Sequence, residues 1–170
     1  MGNITIGICD WALPGEGLYA TRMAAEFGLQ ALALKIGLLE NYYPITEQTM
    51  QRYYLEEQQR YGIEYCALAL NDFDNLPIHA REGTTEHEQV WEILRRAVST
   101  AVALGIPMVQ VPAFGASEIK NMEDMRYTAN ALRYLCGELG EHGISVGSEN
   151  LLDPREFIEF YGMVGKKNFG

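Results

Sequence analysis

Five short runs rich in aliphatic and β-branched residues alternate with longer stretches of helical pattern, and no two runs are joined by a hairpin signal. The runs are Ile4–Cys9 (ITIGIC), Leu29–Ile36 (LQALALKI), Ile63–Asn71 (IEYCALALN), Pro107–Pro112 (PMVQVP) and Ile144–Asn150 (ISVGSEN). Strand and helix in regular repetition imply parallel strands linked by right-handed crossovers. Two α/β architectures satisfy that rule, a (β/α) barrel and an open doubly wound sheet. The strand faces weigh between them. Ile4, Ile6 and Ile8 alternate with Thr5, Gly7 and Cys9; Cys66, Leu68 and Leu70 with Ala67, Ala69 and Asn71; Ile144 and Val146 with Ser145 and Gly147. One face is large and aliphatic and the other small or polar, as a helix-covered exterior and a crowded axis require. A doubly wound sheet carries large apolar residues on both faces. The pattern favours the barrel and leaves the doubly wound sheet as the alternative.

The intervening helices carry their own punctuation. In EHEQVWEILRRAVSTAVALG, Val90, Ile93, Leu94, Ala97, Ala101 and Leu104 recur at three- and four-residue steps and make one apolar stripe. Thr85 with Glu88 predicts a capping box at its start, and Gly105 a stop. Met122, Met125, Ala129, Leu132, Leu135 and Leu139 repeat the spacing after an Asn121 cap, up to Gly140 and Gly143. The last helix opens on DPRE, with Asp153 as cap, Pro154 at the first helical position and Glu156 reaching back.

Composition narrows the function classes. The chain has 170 residues, 48% hydrophobic and 21% charged, which suits one well-covered core and a single domain over 1–170. A formal net charge of -10 with scattered Lys and Arg argues against a nucleic-acid partner. No apolar run approaches the ~20 residues of a membrane helix, and NITIGICD follows the first residues without a cleavable leader pattern. A cytoplasmic protein without a membrane partner is expected. Cys9, Cys66 and Cys136 lack CxxC spacing and read as reduced core thiols. LPGEG and VGSEN have neither GxGxxG nor GxxxxGK[ST] spacing, so nucleotide binding finds no support.

Barrel chemistry is built at the C-terminal ends of the strands. Continuing each inward series to that end delivers Trp11, Lys35, Asn71, Gln110 with Pro112, and Glu149. Glu149 shares its face with Ser145 and Gly147, so it is aimed at the axis, where a buried carboxylate must be paired, protonated or bound to a cation. A salt bridge to Lys35 is the plain structural alternative. His79, His87 and His142 fall at no strand C-terminus and suit solvated or capping roles better than metal ligation. The loop NDFDNLPIHAREGTTEHE is long for a βα connection, and reads equally as a lid over the mouth or as a solvated surface loop.

These residues resemble the xylose-isomerase-like barrels, a family that contains sugar phosphate isomerases and epimerases. The resemblance rests on IGICDW at the first strand, LGIPMVQVPAFG at the fourth, HGISVGSENLLDP at the fifth, and the order and spacing of all five. It implies that Glu149 binds a divalent metal (manganese, magnesium, cobalt or zinc) and helps move a proton between adjacent carbons of a ketose or hydroxy-carbonyl substrate. A metal ion stabilises the negative charge that such a step develops on oxygen, and a carboxylate ligand suits it. Trp11 would then wall a small sugar, Asn71 and Gln110 would hold its hydroxyls, and Lys35 would complete the substrate-binding set. Apurinic endonucleases of the same family use histidines at the ends of the third and fourth strands. This chain has Asn71 and Pro112–Phe114 there, which argues against DNA repair.

The family barrel has eight βα units. Strands starting near residues 4, 29, 63, 107 and 144 use up this chain in five, and KKNFG at 166–170 resembles the start of a sixth. The remaining metal ligands implied by the resemblance lie in units not present, so a truncated barrel is expected, with an open edge that a completing chain or a homo-oligomer would cover. The first expectation is therefore a metal-dependent sugar isomerase or epimerase, inactive or weakly metal-binding as this chain alone. A Schiff-base aldolase using Lys35, and a non-catalytic barrel remnant that binds a partner, remain the alternatives.

Overall fold

The structure is a computed structural model that describes residues 4–37 and 41–170. Its strands are β1 (Gly7–Cys9), β2 (Ala31–Lys35), β3 (Glu64–Ala69), β4 (Met108–Ala113) and β5 (Ser145–Asn150). All pair in parallel in the order β1-β2-β3-β4-β5. The helices are α1 (Leu18–Glu26), α2 (Gln48–Tyr61), α3 (Thr85–Leu104), α4 (Met122–Gly140) and α5 (Pro154–Val164). A doubly wound sheet reverses its strand order part-way, whereas here each strand pairs with the next in sequence, which is the winding of a barrel. Among the described residues no helix is long and apolar enough to cross a membrane.

Residues paired across a parallel sheet share a face, so the register assigns the faces directly. Cys9 pairs with Ala33 and Ala33 with Ala67; Lys35 pairs with Ala69, Ala69 with Gln110, Gln110 with Gly147, and Pro112 with Glu149. These small and polar side chains form the inner face. Leu32, Leu34, Leu68, Leu70, Val109, Val111 and Val146 lie on the other face and join the stripes of α3 and α4 in the buried core.

Two positions depart from simple alternation. The β2–β3 register shifts between Leu32 and Ala33, so Leu32 meets Tyr65 and Ala33 meets Ala67. Cys66 is the residue skipped, and the bulge removes it from the aliphatic face on which alternation places it. Tyr65 occupies the helix side instead, with its hydroxyl on Thr21 Oγ1 (3.0 Å) and donating to the Tyr54 carbonyl (2.8 Å). All three cysteines are free thiols, but only Cys136 is buried, Cys9 and Cys66 being half-buried.

Ile4 and Ile6 are the second departure. Their pattern places them under helices, yet they are 84% and 60% exposed, and the ladder begins only at Gly7. β1 is an edge strand, and the outer side of the residues leading into it is left uncovered. The opposite end is equally bare, with Leu151 and Ile158 each 72% exposed. There the sheet continues past β5: the Val146 N–H donates to Asn168 O (2.8 Å), Gly170 N–H to Val146 O (3.0 Å) and Ser148 N–H to Gly170 O (3.0 Å). Phe169 forms a parallel bridge with Val146, so KKNFG begins a sixth strand as its sequence suggests.

Helix termini follow local chemistry closely. Asp153 and Glu156 make the full capping box of α5, and Asn121 Oδ1 accepts from the N–H groups of Glu123 and Asp124. At α3 the cap is Thr84, whose Oγ1 accepts from His87 N–H (3.2 Å), one residue before the expected Thr85. Thr84 has the extended backbone a cap requires, while Thr85 is already helical. Gly105 closes α3 at φ 65°.

Candidate active site

Four of the five inward candidates meet at the C-terminal ends of the strands. Trp11, Asn71, Gln110 and Glu149 line one cavity of about 450 Å³, together with Cys9, Ala69, Asp74, Pro112 and Phe114. Gln110 Nε2 donates to Glu149 Oε2 at 2.7 Å, which orients the carboxylate from the neighbouring strand. Among the described residues no Lys, Arg or His side chain lines this cavity. Glu149 points inward as its register predicts, but it is exposed to solvent and not buried. The inner face of five strands is open on the side where a closed barrel has further strands, so the expected demand for a burial partner is relaxed.

Lys35 does not share that cavity. Its ammonium pairs with Glu16 Oε2 at 2.7 Å, so the salt bridge that formed is to Glu16 and not to Glu149. Both residues line a neighbouring cavity of about 720 Å³ with Asp10, Met50 and Tyr54. Asp10 is 1% exposed and accepts the Lys35 backbone N–H at 3.3 Å from each carboxylate oxygen. Burial pushes its carboxyl up to about 6, against the opposing pull of the Lys35 N–H and charge. The two cavities adjoin, because Asp10 precedes Trp11 and Lys35 pairs with Ala69 in the sheet.

Strand alternation does not single out Asp74, yet it lines the central cavity. It sits with Asn71 in a short 3-10 turn, Asn71–Asp74, directly after β3. Side chains three apart in such a turn eclipse one another, so Asn71 and Asp74 face the cavity while Asp72 and Phe73 turn into the protein. Asp72 instead accepts from the Tyr43 hydroxyl. Burial, and secondarily the charge of Glu149, raises the Asp74 carboxyl above its ordinary value. Burial, followed by Asp10, Cys66 and Glu149, likewise raises the Cys9 thiol. The spacing of three is present in NDFD, but the strand's step of two, continued past Ala69 to Asn71, passes over Asp74.

The loop after β3 is packed down over its first half and solvated over its second, where residues 82–86 are exposed. Phe73, Ile78 and Ala80 are buried. Ser117 Oγ accepts from Ile78 N–H (2.9 Å) and lies 2.6 Å from Phe73 O and 2.9 Å from Leu76 O, tying the loops after β3 and β4 together. His79 packs beside Asp124, with Nδ1 3.7 Å from its carboxylate, instead of being solvated. His87 Nε2 accepts from Trp91 Nε1 at 2.8 Å.

Gly115 is the tightest point of this clamp. Its φ is +60°, and a Cβ there would lie 2.6 Å from the Asp74 carbonyl oxygen. Gly115→Ala is expected to lower stability by about 1–3 kcal/mol, from backbone strain and the displaced carbonyl. Gly137→Ala, inside α4 with nothing within 4 Å of the added methyl, should raise it by about 0.5–1 kcal/mol. Urea denaturation of both variants measures the two opposite signs.

The family model of the xylose isomerase-like TIM barrel matches residues 21–170. The chain belongs to that family. It is 27% identical over 164 residues to a 2-epi-5-epi-valiolone 7-phosphate 2-epimerase of Actinoplanes sp., covering 96% of this chain and 59% of that protein. Among solved structures, a D-tagatose 3-epimerase-like protein superposes with a TM-score of 0.76 at 18% identity, over 98% of this chain and 63% of the other. The 3-keto-D-glucoside 4-epimerase of E. coli gives 0.72 at 15% identity, over 98% and 66%. A xylose isomerase domain protein of Planctomyces limnophilus gives 0.74 at 13% identity, over 97% and 61%. The chain thus spans about three fifths of the length of these relatives, as five of eight units should.

The divalent metal implied by the family can be tested against the donors present. Among the described residues no group of three or more His, Cys, Asp or Glu side chains could hold a metal ion. Glu149 is already bonded to Gln110, and with Asp74 it makes only two carboxylates in this cavity, too few to hold an ion by themselves. The described residues therefore do not fit a resident metal by themselves.

Proposed function

We propose that this chain supplies the first five βα units of an epimerase or isomerase that moves a proton next to the carbonyl of a small sugar, cyclitol or sugar phosphate. The observation that carries the reading is Glu149, a carboxylate at the inner mouth of β5, oriented by Gln110 beside the Trp11 wall. In the first half of the reaction the C–H bond next to the carbonyl breaks. Its proton passes to Glu149 and the electron pair moves onto the carbonyl oxygen, giving an enediolate. Gln110 holds one carboxylate oxygen, which leaves the other directed at the substrate and limits the reorganisation required. Trp11 packs against the carbon skeleton and excludes water on that side. Proton abstraction, carboxylate orientation and water exclusion thus all fall to residues of this chain. The metal of the family resemblance would take Glu149 as one ligand and draw the others from units six to eight. A completing chain at the open edge and a cytoplasmic setting, which free thiols suit, belong to the same proposal.

The test is a chimera in which units six to eight of the Actinoplanes epimerase follow Gly170. Covering Ile4, Ile6, Leu151 and Ile158 should raise Tm by on the order of 10 °C. In D₂O the chimera should place deuterium next to the carbonyl of D-tagatose or of the valiolone phosphate named for the relative, read by NMR. A folded, cooperatively melting chimera that exchanges neither substrate would refute the proposal.

A further inference from the structure

Two residues that line the central cavity each carry an acceptor atom with no donor among the described residues. Asn71 Oδ1 and Asp74 Oδ1 are both buried and lack a hydrogen-bond partner. Buried polar atoms in folded proteins are almost always bonded, so two unpaired ones on residues that line a cavity call for a partner. The cavity itself offers no remedy. The Gln110 amide donates to Glu149, and among the described residues no cationic side chain lines the walls. Two free acceptors, a second carboxylate and no positive charge define the ligand chemistry by complementarity: it must bring hydrogen-bond donors and no negative charge of its own. A phosphate or carboxylate placed in this cavity would meet Asp74 and Glu149 with no cationic side chain among the described lining residues to neutralise it. A hydroxyl group donates one hydrogen bond and stays neutral, and a polyol brings several at once. Trp11 and Phe114 offer aromatic faces for the C–H side of such a molecule.

We propose that Asn71 and Asp74 form a hydroxyl-recognition pair that holds the uncharged, hydroxyl-bearing end of the substrate against Glu149, so that any phosphate it carries lies outside this cavity. The pair rests on the central cavity being the substrate site. The turn geometry supports it, since the eclipsed spacing of three puts both residues on the side of the turn that lines the cavity. The clamp by Ser117 and Gly115 supports it too, because it holds the turn in place before a ligand arrives. The raised Asp74 carboxyl is consistent with an acceptor whose donor comes with the ligand.

Calorimetric titration of the chain with D-tagatose, a neutral ketose, and with myo-inositol, a neutral polyol, tests the pair. Asp74→Ala and Asn71→Ala should each weaken binding about 10-fold, whereas Asp74→Asn, which keeps an acceptor oxygen, should stay within about 3-fold. Inorganic phosphate should neither bind in the cavity nor compete with either compound. Thermal melts of each variant separate loss of recognition from loss of fold. The recognition pair is overturned if well-folded Asp74→Ala and Asn71→Ala variants bind as the parent does, if phosphate competes, or if the parent binds neither compound. Deuterium exchange by the chimera alongside any of these results would sink the recognition pair and leave the epimerase reading standing. Binding that depends on the pair, in a chimera without exchange, would do the reverse.

Discussion

Glu149→Gln in the completed barrel is expected to reduce turnover and deuterium exchange by about 10²–10⁴-fold, the range typical for loss of a positioned acid or base. The substitution is nearly isosteric, and the new amide oxygen can still accept from Gln110 Nε2, which lies 2.7 Å from Glu149 Oε2 in the parent. Position is kept while the ability to take a proton is lost, so kcat should collapse with KM changed by less than about 3-fold. Gln110→Leu has a different signature. It leaves the carboxylate in place but free to rotate, so a loss of about 10-fold with exchange still measurable is expected. Kinetics of both variants on the same substrate decide the matter. A Glu149→Gln enzyme that retains a tenth or more of parental exchange would remove Glu149 from the chemistry.

Much of this architecture is written locally. Alternation along the strands places Leu68 and Val146 on the helix side and Gln110 and Glu149 on the inner side, and the register agrees. Asp153, Pro154 and Glu156 announce their helix through hydrogen bonds within four residues. What sequence periodicity does not carry is decided beyond the strand. Ile4 and Ile6 have the pattern of a covered face, but cover comes from an element elsewhere in the fold. Cys66 obeys alternation in the sequence and is displaced by a bulge that depends on the partner strand. Lys35 ends an inward series, yet its long side chain reaches Glu16, in the loop before α1. Asp74 contributes to the cavity through a 3-10 turn, whose period differs from that of the strand before it. Strand parity therefore reads the site through Gln110 and Glu149 and two residues past the ladder at Trp11 and Asn71, whereas Lys35 and Asp74 are settled by side-chain reach and turn geometry.

Asp10→Asn should stabilise the chain by about 1–3 kcal/mol at pH 7–8 and leave it almost unchanged at pH 4. The Asp10 carboxyl is pushed up to about 6 in the folded protein, chiefly by burial, from an ordinary value of 3.8. Between those two values the folded protein keeps a proton that the unfolded chain has released. Stability therefore falls as pH rises through this window, and above it the folded state carries a desolvated charge. The full shift of about 2 units corresponds to roughly 3 kcal/mol at neutral pH, and Asn removes that charge while its amide oxygen still accepts the Lys35 N–H. For a chain of this size each kcal/mol moves Tm by about 2–4 °C, so thermal melts from pH 4 to 8 resolve the effect. Equal Tm for variant and parent at pH 8, or an equal gain at pH 4, would show that Asp10 titrates normally. A buried acid that costs stability at neutral pH, beside the Lys35–Glu16 pair in an open cavity, fits the usual trade between stability and a working site.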